Sequence, residues 1–134
     1  MNEFTMTRSL PTPYAQAVAQ VREGLARVGF GVLAEIDIAA TLKAKLDVDV
    51  PAKLILGACR PQLAHQALQA DPRVASLLPC NVVVSADGDG SVVEIMNPDV
   101  MPGFTGNPTL TAVATEAREL LTVMLDALTD GGAE

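Results

Sequence analysis

The segment from Pro79 to Met96 constrains the fold most. Pro79-Cys80-Asn81-Val82-Val83-Val84-Ser85 is rich in β-branched residues, Ala86-Asp87-Gly88-Asp89-Gly90 tolerates positive φ, and Ser91 to Met96 resumes the β pattern. Two such runs joined by an Asp/Gly turn read as a β-hairpin, which commits this part of the chain to antiparallel pairing.

The flanking segments supply helices and further strands. Phe4 to Leu10 alternates in polarity and reads as a first strand, closed by Pro11 and Pro13. A helix follows, with Thr12 as N-cap, Pro13 at the first helical position, an apolar stripe of Tyr14, Val18, Val21, Leu25 and Val28, and Gly29 and Gly31 to end it. Gly31 to Ile38 alternates again, placing Val32, Ala34 and Ile36 on one side and Leu33, Glu35 and Asp37 on the other. A short peripheral helix is expected over Thr41 to Leu46 and a third strand over Lys53 to Cys59. Pro61 then starts a helix with Leu63, Ala64, Ala67 and Leu68 on its apolar face. After the hairpin, a loop rich in Pro and Gly runs from Asn97 to Gly106. Asn107-Pro108 caps a long helix carrying Leu110, Val113, Ala117, Leu120, Leu121, Met124 and Leu128, stopped by Gly131 and Gly132.

The resulting order, β-α-β-α-β-α-β-β-α, predicts an α+β two-layer sandwich: a largely antiparallel sheet with two long helices, the first and the last, packed on one face. If Val32, Leu54, Leu56, Val82, Val84, Val93 and Ile95 face those helices, alternation puts Leu33, Ile55, Val83, Val92 and Met96 on the other face. An apolar face of that kind marks an oligomer interface or a ligand site, and the expectation is a homodimer. At 134 residues, 49% of them hydrophobic, the whole chain, 1–134, reads as a single domain with one core. No apolar run approaches the roughly 20 residues of a membrane helix, so no membrane partner is expected. The N-terminus lacks a basic start followed by an apolar stretch, which reads as a cytoplasmic protein with Cys59 and Cys80 reduced. Nine basic residues, scattered along a chain of net charge −7, together with one Tyr, three Phe and no Trp, speak against nucleic acid as a partner.

Several segments resemble the family catalogued as domain of unknown function 302. They are Gly29-Phe30-Gly31-Val32-Leu33-Ala34-Glu35-Ile36-Asp37 with Thr41-Leu42-Lys43, Leu56-Gly57-Ala58-Cys59 with Pro61, Ala64-His65 with Ala67-Leu68, and Leu77-Leu78-Pro79-Cys80-Asn81-Val82-Val83-Val84. The likeness runs from about Val21 to Met101. It implies a compact α/β fold of the TATA-binding-protein-like type, often dimeric, with no settled activity. Arg60 stands where the family pattern leads one to expect Asn, and Val50-Pro51-Ala52 lacks the aromatic expected before the third strand.

Chemistry-bearing residues are few. Cys59 ends the third strand, Cys80 begins the next, and the single histidine, His65, follows in the helix after Cys59. A thiolate and an imidazole within reach act as nucleophile and general base, which gives a thiol-dependent or redox reading with Cys59 and His65 as catalytic residues. The same side chains with Met96 or Met101 suit a soft metal, zinc or copper(I), and the candidate ligand set is Cys59, His65 and Met101. Against these stands the plainer assignment of Cys80 to core packing and His65 to the surface. Strand alternation places Cys80 on the helix side and Cys59 on the opposite face, unbonded, more accessible, and lining any pocket beside Gly57 and Asn81. Gly29-Phe30-Gly31 does not continue at dinucleotide-binding spacing. Glu35 and Asp37 read as a solvated strand end beside a helix cap rather than an acid–base pair. The cofactor remains unknown, and the leading expectation is a homodimeric binding or accessory protein with an apolar sheet face or a pocket near Cys59 for a small-molecule or metal ligand.

Overall fold

The computed structural model describes residues 4–128. Five strands, β1 (Thr5–Leu10), β2 (Gly31–Asp37), β3 (Lys53–Cys59), β4 (Cys80–Asp87) and β5 (Gly90–Met96), form one antiparallel sheet in the order β1-β5-β4-β3-β2. The β4–β5 hairpin lies at its centre. Asp87 pairs with Gly90, leaving Gly88 and Asp89 as the turn, and Gly88 holds the positive φ (58°) that the turn requires.

The long helices α1 (Tyr14–Arg27) and α5 (Thr111–Ala127) pack together on one face of the sheet, completing the expected α+β sandwich. Their stripes, Ala17, Val21 and Leu25 on α1 and Leu121, Met124 and Leu125 on α5, close over Leu54, Leu56, Val82, Val84, Val93 and Ile95 to form the main core. Close approach of the two helices depends on Gly24, where a Cβ would fall 2.8 Å from Met124 Cγ. A second cluster joins Leu63 and Ala67 of α3 (Pro61–Ala70) to Val74, Met101, Leu110 and Val113. Met101 belongs to α4 (Val100–Thr105), a short helix within the segment expected to be loop.

Three local expectations are corrected. Thr12 is not the N-cap of α1: Pro13 occupies that position, and Thr12 is buried with its carbonyl accepting from Ser91 Oγ at 2.7 Å. The helix α2 (Ile38–Leu46) begins earlier than expected, directly at the end of β2, because the Asp37 side chain accepts from Ala40 N at 2.8 Å. In β2 a bulge falls between Val32 and Ala34, which pair with Ala58 and Gly57. One inserted residue exchanges the faces of everything beyond it. Val32 keeps its side with the core, but Ala34 and Ile36 turn to the open face, while Glu35 and Asp37 turn toward α1. There Glu35 pairs with Arg22 at 2.6 Å. Gly131 and Gly132 lie outside the described residues.

Candidate functional site

β3 and β4 bring the two cysteines together. Cys80 is the ladder partner of Ala58, the residue before Cys59, so the two thiols belong to adjacent backbone positions at one end of the sheet. Both are free; Cys80 is buried and Cys59 partly exposed. Burial, and secondarily the neighbouring Cys59, push the Cys80 thiol up to about 11, so it stays protonated at neutral pH.

Cys59 and Cys80 line one small cavity of about 30 Å³, together with Met101 of α4, Arg60, Phe30 and Leu63. The cavity lies beneath α3 and α5, whose Ala67 and Ala117 complete its wall, and not beside Gly57 and Asn81 as strand alternation suggests. Gly57 is instead covered by Pro79, whose Cγ lies 2.7 Å from where a Gly57 Cβ would sit. The volume admits a single water or ion and is far below the ~300–1,000 Å³ of an organic ligand site. Arg60, the residue preceding α3, lays its guanidinium over Gly29, where a Cβ would come within 2.9 Å of Nη1. Positive φ (85°) further favours glycine at that position. The Arg60 Nε is buried without a hydrogen-bond partner.

Of the residues singled out in the sequence, Cys59 and Met101 therefore share this cavity. His65 does not line it: the helix that turns Leu63 and Ala67 inward presents His65 to solvent. Among the described residues, no group of three or more His, Cys, Asp or Glu is placed to hold a metal ion.

A second, open cleft of about 700 Å³ was not evident in the sequence. It is lined by Phe4, Leu77, Met96, Val100 and Phe104, with Asn97 and Asp99 as its polar groups. Phe4 and Phe104 are 66% and 78% exposed, costly placements for two of only three phenylalanines and the one composition-level clue to the cleft. Asp99 is tied to Arg118 of α5 at 2.7 Å, and Thr105 O accepts from Arg73 Nη2 at 3.4 Å, so α4 is anchored beside the cleft.

The chain matches the family model for the domain of unknown function DUF302 over residues 6–128. It belongs to the DUF302 family. A crystal structure of an uncharacterized conserved DUF302 protein from Bacillus stearothermophilus superposes with a TM-score of 0.86 at 27% identity, covering 93% of this chain and 98% of that one. No curated protein matches this DUF302 chain. No helix among its described residues is long and apolar enough to cross a membrane.

Proposed function

We propose that this DUF302 protein is a non-enzymatic homodimeric binding or accessory protein that assembles through its open sheet face. The observation that carries the reading is a row of apolar side chains in register across three strands. Ile36 pairs with Ile55 and Ile55 with Val83, all on the face opposite α1 and α5. Ile36 is 47% exposed, and the bulge leaves Leu33 69% exposed beside the row.

Charge on the same face favours a second copy as the occupant. Lys53 pairs with Ser85 and Glu94 with Val83, so the two charges lie diagonally across the middle of the sheet. With strands about 4.8 Å apart and alternate residues about 6.8 Å apart, a two-fold axis between Val83 and Ser85 that sets Lys53 over the Glu94 of a second copy also brings Ile55 near its Val83. The strands of the two copies then cross steeply, as in orthogonal sheet packing.

Gel filtration with light scattering is expected to return a mass near twice the 14.0 kDa chain at micromolar concentration. Val83→Lys is expected to yield a folded monomer, because Val83 faces away from the helices. A wild-type monomer, or a Val83→Lys dimer as stable as wild type, overturns the reading. A thiol-dependent activity at Cys59 is less well supported, because His65, its intended base, is exposed on α3 and apart from the cavity that Cys59 lines.

A further inference from the structure

The small cavity beneath α3 and α5 has three sulfur-bearing residues in its wall: Cys59 from the end of β3, Cys80 from the start of β4 and Met101 from α4. Among the described residues no His, Asp or Glu lines it, and its remaining wall includes Phe30, Leu63 and Val113. Two thiols and a thioether in a largely apolar pocket make a soft donor set. Such sets select copper(I) over the oxygen-seeking cations. The donor count points the same way, since zinc in a closed structural site takes four ligands in a tetrahedron, whereas the described wall offers three sulfurs.

The charge of such a centre is also provided for. Copper(I) bound by two thiolates and a neutral thioether carries a net charge of minus one, which a largely apolar pocket disfavours unless a cation lies close. Arg60 lines the same cavity, and its Nε is buried without a partner. An unsatisfied guanidinium N–H in an apolar wall is itself costly, and a negatively charged centre in the same pocket would offset that cost.

We infer that Cys59, Cys80 and Met101 form a binding site for a single copper(I) ion, with Arg60 compensating its charge. Cys80 takes the place that His65 holds in the ligand set expected from the sequence. Binding is a ligand exchange without redox change: the two S–H protons leave to solvent, two Cu–S bonds form from the thiolates, the Met101 sulfur donates a lone pair, and the metal remains copper(I). The inference stands on the cavity wall alone and does not depend on the dimer.

The test is an anaerobic titration of the full-length reduced protein, purified without a polyhistidine tag, against a chromophoric copper(I) chelator. One copper(I) per chain is expected to be withheld from the chelator. Cys59→Ser is expected to weaken retention by roughly tenfold or more, Met101→Leu by less, and His65→Ala not at all. Should Cys80→Ser fail to fold, X-ray absorption of the copper-loaded wild-type protein reads the donor set directly, with sulfur-only coordination expected. Copper passing entirely to the chelator, retention unchanged in Cys59→Ser, or nitrogen in the first coordination sphere each overturns the assignment.

Discussion

Asp71 shows how one buried carboxylate ties three segments together. Only 5% exposed, it accepts from Arg73 N and Nε through Oδ1, both at 3.0 Å, and from Arg73 Nη2 at 2.8 Å and Asn107 Nδ2 at 3.3 Å through Oδ2. These donors, Arg73 foremost, hold its carboxyl well below the ordinary value of 3.8. The native state therefore resists protonation more than the unfolded chain does. The stability that Asp71 contributes is complete above the ordinary carboxylate range and is lost as pH falls below it. Asp71→Asn should lower the Tm at pH 7, and the gap to wild type should close as pH falls below 4; a gap independent of pH would show that charge is not what Asp71 supplies. Cys80 has the opposite sign. Its thiol keeps its proton up to about 11, whereas the unfolded thiol releases its proton near 9.0, so the folded state loses stability between those values as pH rises. Urea unfolding of wild type and Cys80→Ala from pH 8 to 11 should show the wild-type advantage shrinking by about 2 kcal/mol. Iodoacetamide at pH 8 should label Cys59 in the native protein and Cys80 only after unfolding.

At the scale of elements, the central hairpin illustrates what local sequence can specify. Its strands, its turn and the helix-facing set Val82, Val84, Val93 and Ile95 were legible because β-branched alternation and an Asp/Gly turn are local signals. The reason for glycine at position 90 was not. A Cβ there would collide with Leu10 O and come 3.2 Å from Pro11 Cα, backbone atoms that cannot rotate aside. Gly90→Ala should therefore cost about 2–3 kcal/mol in chemical denaturation. Gly103→Ala, in α4 with open space around it, should change stability by less than about 1 kcal/mol. The bulge in β2 was equally hidden. Counting by twos has no means of registering an inserted residue, and Val32-Leu33-Ala34 contains neither Gly nor Pro to mark one. That single residue brings Ile36 to the open face and Glu35 to Arg22, and so changes what the face presents.

At the scale of the whole molecule, the proposed dimer uses the face opposite the helices, and the charges on that face make its two-fold testable beyond Val83→Lys. Glu94→Lys should set lysine against the Lys53 of a second copy and lower the dimer fraction in light scattering, and adding Lys53→Glu should restore it. Equal dimer fractions in all three proteins would rule out that axis. The amino-acid sequence by itself determined the α+β class, the antiparallel hairpin, the two striped helices and the family likeness. The hairpin and the helices are encoded in periodicity and turn chemistry within some twenty residues, and helices such as α5 find their apolar side from spacing alone. The family likeness rests instead on the residues of several segments between Val21 and Met101. Only the tertiary structure decided that Cys59, Cys80 and Met101 line one cavity while His65 turns to solvent, and that Phe4 and Phe104 flank an open cleft. The reason is that these groupings join residues from β3, β4 and α4, or from opposite ends of the chain. Their proximity depends on strand register and on how α3, α4 and α5 pack over the sheet's end, and no period within a single segment carries that information.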